Sequence, residues 1–255
     1  MRTRLASLVV TILLVGHAAS IAQTPSPGAR DRARGPYQNG LDSMKEEAWE
    51  EAVKSFRAAI EIDPAFEMAY YMLGRSHMAQ KKFELAASAY ERCRALYQQQ
   101  SGRQYASAQE RQRTRDTRLR EIDEVLRNYQ SGSQTGRVLD TIRQLQNQRR
   151  ELEEAMSRGN ASMTLNITVP AYVSTALGSA YFRMGNLAAA EQEYKAALES
   201  DPKAGEVHSN LAVVFMETGR LDEAEKSIKA AERAGFKVHP ELKEEIKKRR
   251  KVGSS

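Results

Sequence analysis

The residues best suited to chemistry are few, and their spacing does not assemble a reaction centre. The four histidines, His17, His77, His208 and His239, share no metal-ligand spacing. The single cysteine, Cys93, excludes an internal disulfide. A lone cysteine flanked by Arg92 and Arg94 could act as a nucleophile, but its setting reads better as a small packed thiol. No Ser/His/Asp or Cys/His set, paired carboxylates or Gly-rich phosphate loop can be placed on the chain. No catalytic residue, metal or cofactor is expected, and the chain does not read as an enzyme. The chemistry left to it is recognition. Tyrosine gives large contact area at low entropic cost, and methionine adapts to irregular apolar partners. The chain has 10 Tyr and 9 Met.

The elements that position these residues follow a 34-residue period. Gly40 and Gly74 are 34 apart, as are Gly178 and Ala212. Twelve residues beyond each stands an alanine: Ala52, Ala86, Ala190 and Ala224. Four further on comes a large apolar residue, Phe56, Tyr90, Tyr194 or Ile228. Three beyond that is a small one, Ala59, Cys93, Ala197 or Ala231. This is the signature of a helix-turn-helix repeat. The small residues let the paired helices approach, and the large ones are expected to fill the gap to the next repeat. Such units stack into a solenoid with an extended concave surface.

The pattern resembles the tetratricopeptide-repeat family. Leu177-Gly178 is followed by Tyr181, Gly185, Leu187, Ala190, Tyr194, Ala197 and Pro202. The next repeat carries Leu211-Ala212, Phe215, Gly219, Leu221, Ala224, Ile228 and Ala231. The first has Gly40, Trp49, Ala52, Phe56, Ala59 and Pro64, with Asn39 in place of Leu. The second has Leu73-Gly74, Phe83, Ala86 and Tyr90, with Gln98 where Pro would stop the helix, so its last helix is expected to run on past Gln98. The resemblance covers 33–100 and 171–238. It implies an all-α solenoid of two repeat pairs that binds a protein or peptide and has no catalytic residues.

In that family the first helix of each repeat lines the inner groove. The resemblance therefore implies partner-binding residues at Tyr37, Leu41 and Met44, then Met68, Tyr71, Arg75 and Met78. In the second pair they are Tyr172, Thr175, Ser179 and Phe182, then Ser209, Asn210, Val213 and Met216. The Lys and Asn clamp with which some members hold a C-terminal carboxylate is absent, because Tyr37, Leu41 and Met72 stand at its positions. The groove reads as one for an amphipathic helix or extended apolar peptide. Alternatively, the insertion or tail folds over it and hides it.

Gly74 and Gly178 are 104 residues apart, so about 70 residues separate the second and third repeats. Two decayed repeats would account for the length, but the markers are missing. Leu119, Ile122, Leu126 and Tyr129, then Val138, Ile142, Leu145, Leu152 and Met156, give an apolar seam of coiled-coil spacing. Ser131 to Gly136 reads as a turn. An antiparallel helical hairpin or coiled coil inserted between the repeat pairs is expected, and the seam at 119–156 could mediate self-association. Thr164 to Pro170 shows a strand-like alternation, read as an extended connector. Asn160 and Asn166 match a glycosylation acceptor pattern.

The ends complete the organisation. Arg2 and Arg4, an apolar run from Leu5 to Val15, and small residues before Gln23 read as a secretory signal over 1–22. An uncleaved anchor is the alternative, although the run is short for a membrane span. Residues 23–35, rich in Pro, Gly and Arg, are expected to form a disordered tether. The repeats occupy 36–100 and 171–238, the insertion and connector 101–170, and a capping helix and basic tail 239–255. An exported location, periplasmic or secreted, follows. The net charge of +6 divides into a mildly acidic solenoid and basic appendages. The insertion carries twelve Arg, no Lys and nine acidic residues, interleaved as on a solvated face. Nucleic acid is not an expected partner, while peripheral contact with anionic lipid is compatible with the basic ends. The leading reading is an exported adaptor or scaffold. The alternative is coiled-coil self-assembly or an envelope structural protein.

Overall fold

A computed structural model describes residues 28–101, 107–130, 136–157 and 168–253. Among them are eleven helices and no strand. Four helix pairs form the repeats: α1 (Ala29–Lys45) with α2 (Trp49–Ile62), α3 (Glu67–Ala79) with α4 (Phe83–Gln100), α7 (Ala171–Arg183) with α8 (Leu187–Ser200), and α9 (Gly205–Glu217) with α10 (Leu221–Arg233). The inserted helices are α5 (Ala108–Gln130) and α6 (Gly136–Ser157). A last helix, α11 (Pro240–Gly253), packs on α10. No described helix is long and apolar enough to cross a membrane. The expected signal at 1–22 and the acceptor sites Asn160 and Asn166 lie outside the described residues.

The 34-residue ruler has a direct steric cause. Within three repeats, a glycine of the first helix faces the aromatic ring of the second. A Cβ on Gly40 would stand 2.6 Å from the Phe56 ring, on Gly74 2.5 Å from Tyr90, and on Gly178 2.8 Å from Tyr194. Carbon atoms rest at about 3.5–4.0 Å, so the ring occupies the space a side chain would need. This corrects one expectation: the large residue packs onto the glycine of its own repeat, rather than only bridging to the next. The fourth repeat makes the opposite exchange. Ala212 is one carbon larger, and Ile228 has no ring.

Each turn within a repeat closes in the same way. The amide of Ala48 donates to the Ser43 carbonyl, Lys82 to His77, Asn186 to Tyr181 and Arg220 to Phe215. This bond, five residues back, requires a left-handed residue just before the donor. Repeats three and four supply Gly185 (φ 77°) and Gly219 (φ 74°). Repeats one and two place Glu47 (φ 56°) and Lys81 (φ 59°) there instead.

The stack is continuous across the insertion. Helix α4 packs directly on α7, just as α2 packs on α3 and α8 on α9. Arg94 of α4 pairs with Glu193 of α8, and the Tyr181 hydroxyl donates to Glu91. The Tyr97 and Tyr172 hydroxyls lie 3.1 Å apart. The intervening residues therefore leave the solenoid and return without breaking its register. Helix α4 has 18 residues against 14 in α2, and it ends at Gln100, past the missing Pro at 98. Cys93 is fully buried, and burial pushes its thiol well up.

The tether expectation fails over 29–35. Those residues begin α1, with Ala29 and Ala33 buried and the Arg30 and Arg34 side chains engaged in ion pairs. The composition suggested disorder, but alternate arginines point at carboxylates from other elements.

Candidate functional site

The first helices, α1, α3, α7 and α9, form one face of the solenoid, and its two halves differ. In the first half the candidate residues are buried: Tyr37, Leu41, Met44, Met68 and Tyr71, joined by Tyr172. They share one apolar core with Ile122, Val125, Leu126 and Tyr129 of α5 and with Ile142 and Leu145 of α6. The rings of Tyr71 and Tyr172 meet edge to face at 4.8 Å. Met68 accepts from the Tyr172 hydroxyl at 3.3 Å. The Arg75 guanidinium lies 4.5 Å over the Tyr129 ring. These residues do not line an open groove, which corrects their assignment as partner contacts. The physical reason is mutual. The seam and the groove are both apolar, and burying each against the other removes both from water. The seam read as a means of self-association lies largely in the same core: Ile122, Leu126, Tyr129, Ile142 and Leu145 are buried there and Leu152 packs against it, while Leu119 stays partly exposed.

Polar groups fasten the same contact. Arg30 of α1 pairs with Asp63, with Glu67 at 2.9 Å and with Glu121 of α5. Arg118 of α5 reaches the other oxygen of Glu67 at 3.0 Å and Glu121 at 3.3 Å, and it donates to the Tyr97 hydroxyl. Arg34 bonds Glu124 at 3.0 Å. The two central carboxylates behave oppositely. Burial raises the Glu121 carboxyl despite both guanidinium groups. Burial would also raise Glu67, but Arg30 and Arg118 outweigh it and hold that carboxyl below the usual range. Such a network is costly to break once buried.

Among the described residues the second half stays open. A cavity of about 620 Å³ is lined by Met78, Ala79, Lys81 and Phe83 of repeat two, with Ser179, Phe182, Arg183 and Tyr194 of repeat three and Asn210 and Val213 of repeat four. Five expected contact residues therefore meet here: Met78, Ser179, Phe182, Asn210 and Val213. Thr175 and Ser209 are partly buried, and the Thr175 hydroxyl bonds the Ala171 carbonyl in its own helix. Met216 is buried in the second core, which also holds Ile246 of α11, so it offers no free surface. Two charged lining residues escaped the sequence reading, Lys81 and Arg183. Both stand where a first helix ends, seven and five residues past the repeat glycine, and the periodic pattern marks only apolar and small positions.

The pattern of the tetratricopeptide-repeat family matches residues 37–101 and 175–235. No curated protein matches the chain in overall sequence. Among solved structures, the chain is similar to PilW, a type IV pilus biogenesis factor, at 15% identity over 86% of each chain with a TM-score of 0.40. It is similar to a tetratricopeptide-repeat protein of Thermus thermophilus at 19% identity, covering 85% of this chain and 98% of that one, with a TM-score of 0.33. A third likeness is to YrrB, described as having an unusual peptide-binding site, at 15% identity over 85% and 92% with a TM-score of 0.29. The steric ruler, the repeated turn and the family pattern agree, and the chain belongs to the tetratricopeptide-repeat family.

Proposed function

We propose that this protein is an exported adaptor or scaffold that binds a protein or peptide partner in the open half of its concave face. One observation carries the reading. The cavity beside Met78, Phe182, Asn210 and Val213 remains accessible where the other half is filled by the chain's own helices. Its volume falls in the range of roughly 300–1,000 Å³ typical of small binding sites. Export rests on the basic and apolar composition of residues 1–22.

The test is a crosslinking pull-down with residues 23–255 from the exported fraction of the host. The wild-type chain should capture one stoichiometric foreign protein. A Phe182→Ala/Val213→Ala chain of unchanged helical content should lose it. Capture that is indifferent to these substitutions, or recovery of the bait alone, would refute the groove as the binding surface. N-terminal sequencing of the exported chain should begin at Gln23.

A further inference from the structure

The charge of the open groove narrows the partner. Lys81 and Arg183 line it, both exposed, and neither has an ion-pair partner among the described residues. No carboxylate appears among the described lining residues. In the filled half Arg30 and Arg34 of α1 face acids and Arg75 lies over the Tyr129 ring. Beside the two cations lie the partly buried Phe182, Val213 and Met78, and the Asn210 carboxamide makes no hydrogen bond among the described residues.

Resting on the adaptor reading above, we propose that the groove takes an acidic peptide with at least one apolar side chain. The apolar residue packs against Phe182, Val213 and Met78. Asn210 bonds the peptide backbone. A carboxylate meets Arg183, whose planar fork suits it, with Lys81 adding a second positive charge. The chain's own ends do not supply this ligand. Residues 1–36, the insertion and the tail each carry net positive charge, the same sign as the groove. A second copy would present the same basic appendages. Arg183 at the end of α7 also suits the helix dipole, and the left-handed turn position of Lys81 is shared by Glu47. Neither fact alone marks a site; two unmatched cations beside an apolar cavity do.

The probe is a random decapeptide phage library, panned on the full chain and in parallel on Arg183→Glu and Phe182→Ala. Enriched peptides should join Asp or Glu to Leu, Phe, Ile or Val, and both variants should fail to enrich them. In anisotropy titrations the strongest labelled peptide should bind Arg183→Glu about tenfold more weakly, the loss expected for one charge-assisted hydrogen bond. Lys81→Gly should weaken it severalfold. That substitution installs the residue that repeats three and four carry at this turn, so lost affinity cannot be blamed on misfolding. Enrichment of neutral or basic peptides that need Phe182 but ignore Arg183 would overturn the acidic class and leave the adaptor reading standing. No enrichment, or equal enrichment on both variants, would overturn both.

Discussion

The glycine-to-ring contact allows a sharp thermodynamic test at Gly74. In an exposed helix, Gly→Ala stabilises by about 1 kcal/mol through backbone entropy. Here the new methyl would lie 2.5, 2.6 and 2.9 Å from three Tyr90 ring atoms. It must move about 1 Å from at least two of them to reach ordinary contact. The Tyr90 ring is 2% exposed and meets the Tyr71 ring at a tilt of 45° with centroids 5.6 Å apart, so it cannot swing aside. Overpacking of this kind costs typically 1–3 kcal/mol. Taking the upper end for a rigid ring and subtracting the propensity gain leaves a net destabilisation of roughly 2 kcal/mol. In a Tyr90→Ile background, the pairing found in repeat four, the ring is gone. Gly74→Ala should then stabilise by about 1 kcal/mol. The sign reverses, with a coupling of roughly 3 kcal/mol, at the upper end for contacting residues. The assay is urea unfolding of the four chains followed by circular dichroism, with m compared throughout. Equal effects of Gly74→Ala in both backgrounds would refute the steric account of the period.

Three further outcomes are expected. In the buried network Glu67→Gln should cost about 3 kcal/mol, because it strips both guanidinium groups of a partner, while Glu121→Gln should cost under about 1 kcal/mol, since burial already raises that carboxyl; urea midpoints would show the order. The Glu191 carboxyl is held down to about 2, chiefly by its hydrogen bonds from Arg220. A depressed carboxylate stabilises above its unfolded pKa of about 4.3 and loses that contribution as pH falls toward 2. With the Arg220 side chain 35% exposed, solvent screening reduces the effect to roughly 1 kcal/mol. Urea midpoints at pH 5 and pH 2.5 should therefore converge between wild type and Glu191→Gln, and a constant difference would contradict the assignment. Finally, replacing 107–157 with a short flexible link should uncover Tyr37, Tyr71 and Tyr172, raise binding of an apolar dye and shift size-exclusion elution toward larger species; a monomer with unchanged dye binding would show that α5 and α6 are dispensable to the core.

The repeats were legible in the sequence because their constraint is local. Gly74 and Tyr90 are 16 residues apart in one helix pair, and a single glycine or ring at the wrong place is sterically visible in the pattern. The occupant of the groove was not legible. Nothing within 34 residues of Tyr71 says that Tyr129 and Tyr172 will meet it, since each alone reads as a good groove residue. The same holds for Arg30, whose partners Asp63, Glu67 and Glu121 come from three separate elements. Read locally it belongs to a Pro/Gly/Arg-rich tether. Buried ion pairs join residues far apart in sequence and leave no periodic trace, and so the start of α1 was lost with them.

The filled half of the face decides where a partner can bind. Ile122, Val125, Leu126, Tyr129, Ile142 and Leu145 are all buried. Burial of such side chains is worth roughly 1.5–3 kcal/mol each, a gross contribution on the order of 10 kcal/mol before the ion network is added. A partner of nanomolar affinity supplies about 12 kcal/mol in all. Such a ligand would have to spend most of its binding energy displacing α5 and α6, and would bind far more weakly than its contacts promise. The open half carries no such penalty. Helix α6 packs against α7 and α9, the helices that bring Phe182 and Val213 to the cavity. Helix α6, which helps close the first half, thus also borders the second, where Lys81 and Arg183 line the cavity of the proposed partner site.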